Sequence, residues 1–382
     1  MKHNAGTGYN IYSNSRRRSS ADRRKTFVVV CLLICMICVI LDIIFISKLA
    51  SKGKDDVTAS TTSSITPETD ASGNIITPSS IEPGLTSDVT ESTAAKVQTV
   101  DAATRAANLE TLQASVAEYL SKQNGRFGVY YINMSNGETM AYKEGQPIVA
   151  ASSIKLAYNT YLYEKAESGE LSLDEKIAYK ATAYPDGDLE YGTGTIQNKP
   201  DGTEFTLYEV SHLSITISDN CGTNMVIRRL GGEDAINNNF LKPISATVDY
   251  RGTATYTDYT GAEKSGKRRT SAVDLAKYAE HLYKDYENNP THYQPLIDDL
   301  CNTEYNWGVP GGVPSDVKVA HKVGFNTSYF ANNDVAIVFA SEDYVLAVMT
   351  ESGDANQAQQ IIGEVSRMVY EYVESNYGSP AQ

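Results

Sequence analysis

Cysteine is nearly absent from most of this 382-residue chain. Three of its five cysteines, Cys31, Cys35 and Cys38, fall inside one apolar stretch near the N-terminus, and only Cys221 and Cys301 lie beyond it. Two thiols make no disulfide framework, so the fold has to rest on a buried core. Positive charge is scarce as well: 33 Lys and Arg stand against 47 Asp and Glu, a formal charge of −14. Such a surface offers nucleic acid no general attraction, and no nucleic-acid partner is expected. Aromatic residues are missing from Ser51 to Val100, where Ser and Thr dominate with scattered Pro and Gly. That segment cannot bury a core and reads as a disordered tether, with a root-mean-square reach of ~40 Å for a flexible chain of this length.

The positive charge that exists is concentrated at the start. Lys2, Arg16, Arg17, Arg18, Arg23, Arg24 and Lys25 face Asp22 alone, which makes the first 25 residues roughly +6 and leaves about −20 for the rest. An almost unbroken apolar run follows from Phe27 to Ile46. At ~1.5 Å per helical residue it is long enough to cross a bilayer core of ~30 Å. The basic flank predicts an N-terminus inside and export of everything after Ser47. A cleaved signal peptide competes with this reading, but the length of the run and the lack of a clear small-x-small site favour a retained anchor. The expected organisation is a cytoplasmic tail (1–26), a transmembrane anchor (27–47), a linker (48–104), one extracytoplasmic domain (105–376) and a short tail (377–382).

Order resumes near Asp101, where Leu109, Leu112, Val116, Tyr119 and Leu120 mark an amphipathic helix. Two strands, Phe127 to Met134 and Glu138 to Tyr142, flank a Ser135-Asn136-Gly137 turn. The region from Ser152 to about Leu230 reads as mainly helical, including Leu207 to Leu213 and Cys221 to Leu230. Val317 to Gly324, Val335 to Ala340 and Tyr344 to Thr350 read as strands, and a closing helix begins near Ala355. This order predicts an α+β fold: an antiparallel sheet built from both chain ends, with a helical subdomain inserted between them and a cleft at the junction.

Within that plan, Ala151-Ser152-Ser153-Ile154-Lys155 places a hydroxyl and an amine three residues apart at a helix start. Residues i and i+3 share a helix face, so Ser152 and Lys155 form a candidate nucleophile and base, and the free N–H groups of the first turn favour developing negative charge. As a bare pattern this is weak, since Ser51 and Lys54 match it too and Ser152 also suits an ordinary helix cap. Two further clusters follow in order, Ser218-Asp219-Asn220 before a helix and His321-Lys322-Val323-Gly324 on a strand.

Together the three clusters, in order and approximate spacing, resemble the S-x-x-K, S-D-N and K-T-G signature of the serine β-lactamase and penicillin-binding protein superfamily, and the separations are close to those of class A β-lactamases. The resemblance covers roughly Leu109 to Tyr372. It implies that Ser152 is acylated and that Lys155 takes its proton, which requires a lysine pKa well below ~10.4, promoted by burial and by the charge of Lys322. It implies that Ser218 passes the proton to the leaving nitrogen, that Asn220 binds the substrate amide, and that Lys322 orients Ser218 and attracts an anionic substrate. The oxyanion hole would be the backbone N–H of Ser152 and of Phe325, beside Gly324. No metal or cofactor is implied; the expected partner is a small β-lactam or peptidoglycan-like molecule.

Two departures stand out. Val323 replaces the hydroxyl residue of K-T-G, with Asn326, Thr327 and Ser328 as candidate substitutes. No Glu-x-x-Leu-Asn segment lies between Asn220 and Thr270, so the glutamate that activates the deacylating water in class A enzymes is missing. Asp258 is the nearest carboxylate and the candidate replacement. The expected function is therefore a membrane-anchored acyl-serine hydrolase with slow turnover. The alternative is a binding or sensing domain, against which stands a cytoplasmic piece too short to hold an effector domain.

Overall fold

The computed structural model describes residues 100–378 apart from 253, 266 and 267. The expected tail, anchor and nearly all of the linker lie outside the described residues. Among those described, no helix is long and apolar enough to cross a membrane.

Helix α1 (Ala102–Ser121) starts where the Asp101 carboxylate accepts the N–H groups of Ala103 and Thr104, and it buries Leu112, Val116 and Leu120 at four-residue spacing. Strands β1 (Arg126–Asn133) and β2 (Thr139–Tyr142) follow as a hairpin. The Asn133 side chain accepts the N–H groups of Ser135 and Asn136, and Gly137 supplies the positive φ of 74° that closes the turn. The helical part contains α2 (Lys155–Glu167), α3 (Leu207–Thr216), α4 (Asn220–Arg229), α5 (Ala272–Asn288) and α6 (Pro290–Cys301). Strands β3 (Lys318–Asn326), β4 (Ala331–Phe339) and β5 (Tyr344–Glu351) and helix α7 (Ala355–Tyr377) complete the chain.

The five strands form one sheet in the order β2-β1-β5-β4-β3, with every neighbouring pair antiparallel. Both chain ends therefore contribute to it. Strand β5 is buried along its whole length because each face of the sheet is covered. Leu346 and Val348 pack with Val116, Leu120, Ile362 and Val365 of α1 and α7, while Val345, Ala347 and Met349 pack with Leu275, Ala279 and Leu296 of α5 and α6. Each of the larger aliphatic side chains so buried contributes about 1.5–3 kcal/mol. A smaller cluster of Leu162, Ile177, Leu207, Val210, Met225 and Val226 holds the rest of the helical part together. Cys221 and Cys301 are both free thiols.

Three sequence expectations need adjustment. Ser152 does not begin an α-helix; it sits in a 3₁₀ turn, Ala151–Ile154, that precedes α2. Helices α5 and α6 go beyond the sequence expectation, although Ala272, Leu275, Ala276, Ala279 and Leu282 recur at helical spacing after the Ser271 cap. Strands β3 and β4 each run further than the apolar pattern suggests, because polar Asn326, Asn332, Asn333 and Asp334 take part in the ladder.

Candidate active site

The 3₁₀ turn brings Ser152 and Lys155 closer to one line than an α-helix would. With three residues per turn, positions i and i+3 eclipse, so Ser152 and Lys155 fall on the same side. Ser153 points elsewhere: its hydroxyl is buried and donates to the Ala150 carbonyl at 2.6 Å. Strand β3 lies directly against this turn. A Cβ on Gly324 would collide with the Ser153 nitrogen and stand 2.9 Å from the Ser152 nitrogen, so only glycine permits the approach. Ser152 and Phe325 consequently line one cavity.

The second wall comes from the turn between α3 and α4. Ser218 holds a left-handed φ of 55°, a conformation costing about 1–2 kcal/mol for a non-glycine residue, and Ala151 beside the serine turn has φ 49°. Asp219 is structural. One of its oxygens accepts the Gly222 N–H at 2.9 Å to cap α4, and the other accepts Thr195 and Ile196 N–H groups at 2.6 and 2.9 Å. Gly194 sits so close to Asp219 that a side chain would collide with it. This pins the 192–196 loop over the Ser218 turn, and the Thr193 hydroxyl donates to the Ser218 carbonyl at 2.6 Å.

Two buried amines meet at Ser218. Lys155 Nζ donates to the Ser218 carbonyl at 2.7 Å, to Ser218 Oγ at 3.2 Å and to Asn220 Oδ1 at 2.9 Å. Lys322 Nζ donates to Ser218 Oγ at 3.1 Å and to the Val323 carbonyl at 3.0 Å. Burial lowers Lys155 to about 7, against the opposing pull of Asp219 and Glu190. Burial also lowers Lys322 well below its ordinary value, with the Lys155 charge adding to the shift. Desolvation is the main preparation of Lys155, and the repulsion between the two amines is mutual and works in the same direction. Beneath Lys322, His321 pairs with Asp334 at 3.0 Å.

The model of the β-lactamase enzyme family matches residues 111–373, which includes every one of these side chains. The chain belongs to the β-lactamase enzyme family. It is 25% identical over 262 residues to β-lactamase SME-1 of Serratia marcescens, covering 66% of this chain and 85% of that protein. It is 26% identical over 260 residues to β-lactamase AST-1 of Nocardia asteroides, covering 66% and 81%. Among solved structures, PBP-A aligns with a TM-score of 0.59 at 27% identity over 70% of this chain and 97% of that one. A point mutant of that protein is known as an acyl-enzyme complex with penicillin G. An ancestral class A β-lactamase aligns with a TM-score of 0.58 at 24% identity over 68% and 99%, a likeness of fold. The domain is thus a serine hydrolase domain of β-lactamase and penicillin-binding-protein type.

In this β-lactamase-family domain the cavity measures roughly 290 Å³. Ser152, Lys155, Asn220 and Phe325 line it, and Ser218 and Lys322 stand behind, joined to Lys155 and each other. Asn326 also lines it, whereas Thr327 and Ser328 belong to the following 3₁₀ turn and are not among the lining residues. Val323 is buried in the strand. Sequence reasoning missed Tyr184, Glu190, Thr193, Glu233, Tyr250 and Arg268, all of which face the cavity. A signal existed for Thr193 alone: the run Gly192-Thr193-Gly194 marks a place of close backbone approach.

Asp258 is not brought to the site. Its Oδ1 accepts Thr260 N–H at 2.9 Å, Thr260 Oγ1 at 2.6 Å and Ala262 N–H at 3.0 Å, closing the turn between Tyr256–Thr257 and Glu263–Lys264. Its pKa is lowered, first by the Thr260 hydroxyl bond, which makes it a weak base as well as a misplaced one. The expected water-activating role is corrected on these grounds. Asp258→Asn is expected to leave the rates of penicillin acylation and deacylation within about two-fold of the parent by stopped-flow measurement while lowering the melting temperature; a selective loss of deacylation would restore the role.

Proposed function

We propose that this domain is a membrane-anchored, extracytoplasmic hydrolase whose Ser152 is acylated by a β-lactam or a peptidoglycan-like amide and whose acyl-enzyme breaks down slowly. The observation that carries the reading is the buried Lys155 amine, whose pKa burial lowers to about 7, on the wall that also presents Ser152. Ser152 Oγ attacks the carbonyl carbon and gives its proton to the neutral amine. The carbon–nitrogen bond breaks as Ser218 Oγ passes its proton to the departing nitrogen and takes in its place the proton that Lys155 Nζ received, so that an ester on Ser152 remains and both Lys155 and Ser218 return to their starting states.

Hydrolysis of that ester requires a base aimed at water. Among the described lining residues the carboxylates are Glu190 and Glu233, and both are engaged. Glu233 is held by the guanidinium groups of Arg251 and Arg268, and Glu190 accepts the Asn224 amide at 3.1 Å. Beside them the hydroxyls of Tyr158 and Tyr250 bond each other at 2.7 Å, and burial pushes the Tyr158 phenol far above its ordinary pKa, so neither supplies a base. A missing base is worth about 10²- to 10⁴-fold in rate.

Intact-protein mass spectrometry with a penicillin, followed over time, tests this. The expected result is an adduct that forms quickly and persists through many minutes. Turnover without an accumulating adduct would remove slow breakdown, and the absence of any adduct would remove the lactam as substrate. The anchor rests on the basic flank before Phe27 and the apolar run after it. External protease on intact cells is expected to release the domain; a domain protected in sealed cells would reverse the topology.

A further inference from the structure

A second group of side chains stands away from the catalytic cavity, at the other end of α2. His281 and Asp285 occupy positions i and i+4 on α5, which places them on one helix face, and Glu164 reaches them from α2. His281 Nε2 is hydrogen-bonded to Glu164 Oε1 and lies 3.6 Å from Asp285 Oδ2. The three ligand atoms all fall within 4.8 Å of one another. Ligand atoms around a tetrahedral zinc, bound at about 2.0–2.2 Å, stand roughly 3.3 Å apart. The histidine-to-aspartate separation is already close to that, and Glu164 has to withdraw by only about 1 Å from its direct bond to make room.

An independent observation points to a cation. Asp285 Oδ2 is shielded from solvent and has no hydrogen-bond partner, although a buried carboxylate oxygen needs one. It faces a second carboxylate, Glu164, with Glu167 also acting on it from α2. The single Nε2–H of His281 is directed to Glu164, and its nitrogen stands 3.6 Å from Asp285 Oδ2, so the two carboxylates share one donor and have room for a further positive charge. From this geometry we propose that Glu164, His281 and Asp285 form a zinc-binding site that staples α2 to α5, with an open fourth position for water.

The chemistry of the ligand set selects the metal. One imidazole and two carboxylates suit a borderline ion such as Zn²⁺, whereas Mg²⁺ and Ca²⁺ prefer oxygen alone. The Phe240 ring packs edge-on against His281 at 5.5 Å and fixes the orientation of the imidazole. All three side chains retain partial exposure, so the ion has a path from solvent. Burial raises Asp285 to about 6, and the Glu164 bond raises His281, with Lys284 opposing. Metal ligands have to be deprotonated, so zinc affinity rises with pH. Nothing in the sequence suggests this site, because 117 residues separate the histidine from Glu164.

The site lies nine residues beyond Lys155 on α2, about 14 Å along the helix axis. It holds the helix that follows the reactive serine without touching the reaction. The test uses the full-length chain in mild detergent, stripped with EDTA and titrated with ZnCl₂ against a chromogenic chelator, with bound metal counted by elemental analysis. One zinc per chain is expected, together with a melting temperature that rises with zinc and not with MgCl₂. His281→Ala and Asp285→Asn are each expected to weaken zinc binding at least about ten-fold, while His212→Gln, on a different His–Asp pair, leaves it unchanged. Asp285→Asn keeps the side-chain shape and stands as the readout if His281→Ala fails to fold. No retained zinc, or zinc retained equally in Asp285→Asn, would show that His281 and Glu164 are simply an ion pair.

Discussion

Ser152→Ala is expected to abolish covalent labelling by penicillin or a fluorescent acylating probe, a loss of at least about 10³-fold, because no other hydroxyl stands where Ser152 does. The neighbouring residue makes the control. Ser153 lies one position further along the same 3₁₀ turn, but its buried hydroxyl already donates to the Ala150 carbonyl. Ser153→Ala should remove about 1 kcal/mol of stability and retain most of the labelling. The two variants also test the turn itself. In an α-helix, Ser152 and Lys155 would be rotated somewhat apart; in the 3₁₀ turn they eclipse, and the backbone of Gly324 approaches the Ser152 and Ser153 nitrogens so closely that a side chain there would displace the turn. Labelling that survived in Ser152→Ala and vanished in Ser153→Ala would mean that the turn adopts a different register in solution.

The contrast between what the sequence discloses and what it conceals follows from the range of the interactions. The hairpin at Asn133–Gly137 and the faces of α1 and α7 are legible, because caps, turn glycines and four-residue apolar spacing act locally. The reactive trio is legible only as order and spacing, since Lys155, Ser218 and Lys322 converge through contacts 63 and 104 residues apart. Glu233 and Arg268 show the limit. Each is an ordinary charged residue in the chain, and only folding joins them at the cavity edge. Asp258 fails in the opposite sense. It is the right chemical type in roughly the right interval, but its bonds to Thr260 and Ala262 assign it to a local turn that a Thr-rich sequence conceals. The His321-Lys322 pair divides in the same way: the lysine faces the site, and the histidine turns under the sheet to Asp334.

Lys155→Met is expected to slow acylation by about 10²- to 10⁴-fold, the usual contribution of a positioned base; methionine keeps the volume, while the Ser218 carbonyl and Asn220 Oδ1 each lose a donor. The pH profile distinguishes a base from a structural amine. A lysine takes a proton only in its neutral form, and the neutral fraction grows as pH rises past the pKa. With Lys155 held at about 7, acylation should climb between about pH 6 and 8 and level off above that. At an ordinary pKa of about 10.4 the climb would continue past about pH 9. The same shift has a sign in stability. Unfolded Lys155 binds a proton up to about 10.4 and the folded amine releases it near 7, so between those values the unfolded state holds more protons and stability rises with pH. Lys155→Met should flatten part of that slope, leaving the part that Lys322 contributes in the same direction. An acylation profile without a rise near pH 7, combined with a stability slope unchanged by Lys155→Met, would place the base elsewhere and leave Lys155 as a support for the Ser218 turn.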